Sequence, residues 1–189
     1  MSRPSKTERG SQQQNQICAS LIRLMETIPY GEITVSRICD QARIPRRTFY
    51  YYFDGKEDVL ALLIQGLMME SQLEAMLLAN TSKAHLEQSL TRFFSYWRDK
   101  RARELRVLIH NRLEQELTIH CVRWVHTEDH WIHLMENYTD EERNIGLMLG
   151  ISSVLYALFH WCKLDFQQSP EYMAACVTRI LTQPLYAGK

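Results

Sequence analysis

Helix breakers are scarce in this sequence: seven glycines and five prolines are spread over 189 residues, each about half the usual share. So few breakers disfavour a turn-rich β sandwich or barrel and favour helices. Paired cysteines are missing as well. The five, Cys18, Cys39, Cys121, Cys162 and Cys176, are odd in number and form no C-x-x-C pair. That disfavours a disulfide framework or a zinc ribbon and fits reduced, mostly buried thiols in a cytosolic protein. The first 16 residues hold no apolar stretch, so no secretory signal is read and a cytoplasmic location is expected. No Ser/His/Asp constellation, phosphate loop or H-E-x-x-H motif supports an enzyme, and no cofactor is expected. Net charge is missing too, with 22 Lys plus Arg against 22 Asp plus Glu. Nucleic-acid binders are often basic, so this balance counts against one until the chain is divided.

What is present is ordinary globular material, 46% hydrophobic and 23% charged over a length that suits one or two domains. One run, 145–162, lacks any Asp, Glu, Lys or Arg. It is at the short end of a membrane span, but Ser152, Ser153, His160 and two glycines interrupt it. A helix buried in a bundle explains it better, and no membrane is expected. Residues 1–11 read as a flexible polar, basic tail. Apolar positions at helical spacing then predict helices over about 12–28, 34–41, 45–52, 56–79, 83–100, one opening in the charged patch 98–106, 112–136, 141–163 and one from Pro170. Their starts are marked by Thr34, Pro45, an Asp54/Glu57 capping box, Thr81-Ser82, a Thr139/Glu142 capping box and Ser169-Pro170. No strand-like alternation of useful length is found. The expected fold is all-α: a three-helix N-terminal helix-turn-helix domain over 1–55, then a helical bundle over 56–189, about nine helices in all.

The three short N-terminal helices, the second and third joined by a tight turn, have helix-turn-helix order. In such a unit the third helix lies in the DNA major groove. Here that helix crowds Arg46, Arg47, Thr48, Tyr50, Tyr51 and Tyr52 into seven positions. So short a helix buries one narrow side, and most of these groups must face outward. Arginine can bind guanine O6 and N7 in a bidentate way, and Tyr and Thr hydroxyls can donate to phosphate oxygens. Lys56, opening the fourth helix, adds a cation beside backbone N–H groups that favour anions. The charge now divides unevenly. Residues 1–53 hold eight Lys plus Arg against four Asp plus Glu, a net of +4, and residues 54–189 hold 14 against 18, a net of −4.

The stretch Ile33 to Leu60, I-T-V-S-R-I-C-D-Q-A-R-I-P-R-R-T-F-Y-Y-Y-F-D-G-K-E-D-V-L, closely resembles the DNA-binding signature of TetR-family transcriptional regulators. Thr34, the tetrad Thr48 to Tyr51, Phe53, Lys56-Glu57 and Leu60 carry the likeness, which beyond residue 60 rests on length and helix layout. The resemblance implies a homodimeric, ligand-responsive repressor that binds a palindromic double-stranded DNA operator. It places Ser36, Arg46 and Arg47 where base contacts are common. Thr48, Tyr50, Tyr51, Tyr52 and Lys56 fall where phosphate or base contacts are common, and Thr34 is counted with them. One departure stands out. The family usually has Gly where this chain has Arg43, and a left-handed Arg there would be strained by roughly 1–2 kcal/mol.

In the C-terminal half, Gly146, Gly150, Ser153 and Ala157 fall within about 60° on one helix face. With Met173, Val177 and Ile180 of the last helix they form the expected dimer seam. Trp97, Trp124, Trp131 and Tyr156 are candidates for lining a small apolar ligand pocket. His126, His130 and His133 share a helical face with spacing compatible with a metal, but lie opposite Trp124 and Trp131, so a solvated polar face is preferred and no metal is assigned. The runner-up is a regulator without a small ligand, and the competing class is a metal- or redox-responsive helical protein using these histidines, or Cys121 and Cys162.

Overall fold

The computed structural model describes residues 8–71, 82–126 and 138–183, with the side chains of 124–126 left out. Its α-helices are α1 (Glu8–Met25), α2 (Val35–Ala42), α3 (Arg46–Tyr52), α4 (Lys56–Glu70), α5 (Lys83–Lys100), α6 (Ala102–His110), α7 (Glu114–His126), α8 (Asp140–Lys163) and α9 (Pro170–Thr182), with one 3₁₀ turn at Tyr30–Glu32. Among the described residues there are nine α-helices and no strand, as the scarcity of breakers predicts. The expected tails of the fourth and seventh helices, over 72–79 and 127–136, lie outside the described residues.

Most helix starts follow from local chemistry. Ser82 Oγ accepts the His85 N–H at 3.3 Å, and Ser169 Oγ accepts the Tyr172 N–H at 3.2 Å with Pro170 in the first turn. Thr139 and Glu142 close a reciprocal box: Glu142 N–H donates to Thr139 Oγ1 at 3.3 Å, and Thr139 N–H to Glu142 Oε2 at 2.8 Å. Each pair satisfies N–H groups that the first turn leaves unpaired. Two starts differ from expectation. Helix α1 is described from Glu8, so helix already covers the four residues ahead of the expected start, and Gly10 among them is buried on its inner face. At α4 the carboxylate that accepts the Asp54 N–H, at 2.9 Å, is Asp58, not Glu57.

The chain forms two compact units. The first comprises Met1–Leu67 with Val107–Leu113, and the second Met68–Arg106 with Glu114–Lys189. The first is larger than the expected 1–55 domain. Its core takes Ile17, Leu21 and Met25 from α1, Ile38 from α2, Phe49 from α3 and Val59, Leu60 and Ile64 from α4. Cys18 Sγ reaches the Val59 carbonyl at 3.7 Å.

The second unit is centred on α5 packed along α9, with α8 against α7 and α9. Phe93, Phe94 and Trp97 of α5 and Trp161 of α8 are each at most 1% exposed. Phe94 and Trp161 meet edge to face at 5.5 Å, the geometry aromatic quadrupoles favour. Beyond α8, Asp165 and Phe166 are consecutive left-handed residues. Arg106 holds them, binding Asp165 at 2.6 Å and lying 5.1 Å from the Phe166 ring centre. By length and composition α8 could cross a membrane, with a mean hydropathy of 1.6 over its most apolar window. Its Ile151, Val154, Leu155, Leu158 and Trp161 are nevertheless buried within the protein.

Candidate nucleic-acid interface

Helix α2 is fixed at both ends. Thr34 is extended at its N-cap, and Thr34 Oγ1 accepts the Arg37 N–H at 3.3 Å. At the other end Gln16 Nε2 donates to the Ala42 carbonyl at 2.7 Å, satisfying an acceptor that the last turn leaves open. Arg43 then takes the left-handed conformation, φ 52 and ψ 46. Its N–H donates to Asp40 O at 3.1 Å and the Ile44 N–H to Cys39 O at 3.0 Å, the Schellman pattern that usually employs glycine. So Arg43 accepts the strain and the turn keeps its geometry.

Pro45, extended at φ −63 and ψ 145, launches α3, and its carbonyl accepts the Thr48 N–H at 2.9 Å. Phe49 is the single buried residue of α3. It meets Phe53 at 5.7 Å and Tyr50 edge to face at 5.5 Å. One anchor in seven residues leaves the rest of α3 facing out. Arg46 and Arg47 are exposed, Thr48 and Tyr52 are half-buried, and Tyr50 and Tyr51 are 44% and 67% exposed. Tyr51 and Tyr52 brace each other edge to face at 4.9 Å. Arg47, Thr48, Tyr50, Tyr51 and Tyr52 line an open depression of about 640 Å³. The surface therefore offers guanidinium forks, phenol hydroxyls and flat apolar rings together, the groups that can contact base edges and phosphates. Ser36, in the first turn of α2, is half-buried.

Lys56 has other partners than expected. Its Nζ donates to the carbonyls of Tyr30 at 2.8 Å, Ile33 at 3.0 Å and Gly31 at 3.3 Å, and lies 4.6 Å from the centre of the Tyr30 ring. Asn111, which the sequence reading passed over, holds the same turn. Its Oδ1 accepts the Tyr30 N–H at 2.7 Å, and its Nδ2 donates to Met25 O and Val107 O at 2.9 Å each. Gln16 was passed over too. Apart from the Val107 carbonyl, four residues before Asn111, the partners lie 23 to 86 residues away, so no local pattern marks these contacts.

The C-terminal candidates separate. Trp97 is fully buried in the aromatic core, whereas Tyr156 is 72% exposed and stacked on His160. The structure thus does not bring these two into one lining. Trp131 and the Trp124 side chain lie outside the described residues, as do His130, His133 and the His126 side chain. Cys121 and Cys162 are buried, and burial pushes their thiols up to about 12 and about 11. At neutral pH they are protonated and poorly nucleophilic. Of the expected seam, Gly146, Gly150, Ser153, Ala157 and Met173 are half-buried and Ile180 is 50% exposed. Val177 is buried in the unit's own core. Of the larger exposed apolar groups of α8, Ile145, Leu149 and Tyr156 lie beside the small stripe by helical phase, and Met148 lies on the far side.

Residues 17–63 match the family model described as bacterial regulatory proteins, tetR family. Over 66 residues the chain is 41% identical to the HTH-type transcriptional regulator EthR of Mycolicibacterium smegmatis, a match covering 35% of this chain and 30% of that regulator's length. The solved fatty acid degradation regulator FadR of Bacillus halodurans superposes with a TM-score of 0.64 at 16% identity, over 97% of this chain and 99% of its own. A TetR transcriptional regulator from Streptococcus agalactiae gives 0.62 at 16% identity, over 93% and 96%. At such identity the likeness establishes a shared helical fold. The matching sequence includes the stretch that builds α2, the left-handed turn and α3, and over it this chain is similar to the tetR family of bacterial regulatory proteins.

Proposed function

We propose that the protein is a dimeric transcriptional repressor that binds a palindromic operator and is released from it by a small-molecule ligand. One observation carries the DNA-binding part: α3 buries a single residue and presents Arg46, Arg47, Tyr50 and Tyr51 outward, within a module matched by a DNA-regulator family model. Tyr52 and Thr48 complete that surface. Thr34 and Ser36 add hydroxyls at the start of α2, where backbone N–H groups favour a phosphate.

The dimer is supported by apolar groups that a lone chain leaves in water. Ile145, Met148, Leu149 and Tyr156 on α8, and Tyr172, Ile180 and Leu181 on α9, are each more than 40% exposed. A Cβ on Gly150 would meet nothing within 4 Å, so the small stripe on α8 leaves room for a closely approaching helix. Twofold pairing suits a palindromic site. A ligand is supported by two polar atoms of the second unit, Trp97 Nε1 and Thr178 Oγ1, which are buried without a hydrogen-bond partner. A bound polar group could satisfy them and lower their desolvation cost. The ligand acts by favouring a dimer whose two α3 helices no longer match the half-site spacing. The protein works by binding, not turnover, and does so in the cytoplasm, with α8 as a core and seam helix.

Selection of duplexes from a random pool by the purified protein tests this reading. Enrichment of an inverted repeat is expected. Recovery of unenriched sequence at every round contradicts it.

A further inference from the structure

Thr34 begins α2, and the chain reaches it through the turn at 26–33. That turn has little core of its own: apart from the buried Ile33, its residues are half-buried or exposed. It is instead gripped by two side chains from distant parts of the chain. Lys56 spends its three N–H donors on the carbonyls of Tyr30, Gly31 and Ile33. An ammonium has three donors and no acceptor, so this one has none left for a phosphate oxygen. Asn111 reaches the same turn, accepting the Tyr30 N–H and donating to Met25 O at the end of α1. The two groups meet at Tyr30, one on its carbonyl and one on its N–H. Together they fix where Ile33 ends and where Thr34 opens α2.

We propose that Lys56 and Asn111 are positioning residues for DNA reading: they clamp the 26–33 turn and so set α2 and, through the Arg43 turn, the presentation of α3, without touching DNA themselves. This rests on the reading of α3 as the DNA-contacting helix. It assigns Lys56 a role other than the phosphate contact expected of a lysine at a helix start. It brings Asn111 into the DNA-binding machinery, although it lies 59 residues beyond the end of α3.

A phosphate contact and a clamp differ in salt dependence. Each phosphate contact contributes about 0.9 to the slope of log affinity against log salt. A clamp contributes nothing to that slope, but its loss lowers affinity for the specific site. The experiment measures the full chain against its selected duplex and a scrambled duplex, from 50 to 300 mM salt, on the order used for such slopes. Lys56→Met and Asn111→Leu are compared with Arg47→Ala. Each clamp variant is expected to weaken specific binding about tenfold, the effect of one to two lost hydrogen bonds. Both should keep the parent's salt slope and its affinity for scrambled DNA. The double variant should lose little more than either single one, since both act on one turn. Lys56→Arg, which keeps donors at the carbonyls, should restore most of the loss.

A fall of about one unit in slope for Lys56→Met, with scrambled DNA weakened in parallel, would make Lys56 a phosphate contact and overturn the clamp. Unchanged specific affinity in Asn111→Leu overturns it as well. If Asn111→Leu does not fold, Asn111→Asp keeps the acceptor for Tyr30 and removes the amide donor. It should speed amide exchange across the 26–33 turn, and unchanged exchange there refutes the clamp. That exchange readout needs no DNA, so failure of the parent to bind any duplex would refute the functional reading separately.

Discussion

Arg43 shows how a single residue can carry a cost for the sake of a turn. It sits at φ 52 and ψ 46 with its side chain exposed, and its two backbone hydrogen bonds orient α3 after α2. A left-handed non-glycine residue costs roughly 1–2 kcal/mol, and glycine recovers most of that less its extra unfolded-state entropy. Arg43→Gly should therefore raise stability by about 0.5–1 kcal/mol in urea unfolding, and a loss of stability would contradict the assignment. The thiols make a second residue-scale case. Cys121 and Cys162 are buried and held protonated, their pKa values pushed up to about 12 and about 11 by burial. Alkylation of these two at pH 8 should proceed only as fast as the protein opens. Rapid labelling of either in the native protein would restore a redox role.

At the scale of elements, the starts of α5, α8 and α9 were legible in the sequence because Ser82, Thr139 with Glu142, and Ser169 act within three or four residues. The capping partner at α4 was misread by one position. Asp58 and Glu57 are adjacent carboxylates, and which one turns back to Asp54 depends on the path of the chain before the helix. The Lys56 and Asn111 contacts were illegible for a related reason: the backbone carbonyls that select them carry no side-chain signature. In the C-terminal half residue type alone does not tell which aromatic is buried. Trp97 and Tyr156 both belong to aromatic-rich helices, yet one is fully buried and the other 72% exposed. The exposed set on α8 and α9 leads to an element-scale prediction. Leu149→Glu with Tyr156→Glu, both on the solvent side of α8, should leave helix content intact and yield a monomer in sedimentation. A dimer that persists unchanged would move the seam elsewhere.

For the whole molecule, the zero net charge divides into a basic stretch and an acidic remainder. Residues 1–53 carry +4, of which Arg3 and Lys6 ahead of α1 supply two, and residues 54–189 carry −4. On the proposed function, a basic reading surface would raise association with DNA and the acidic remainder would limit indiscriminate adsorption. The most direct measurement is the affinity of the purified protein for its selected duplex across a salt series, alongside Arg47→Ala and Tyr51→Ala. The account predicts that parent affinity falls steeply with salt, that Arg47→Ala weakens binding by about 1–3 kcal/mol, and that Tyr51→Ala weakens it while folding normally. Affinity unchanged in both variants would contradict α3 as the reading helix.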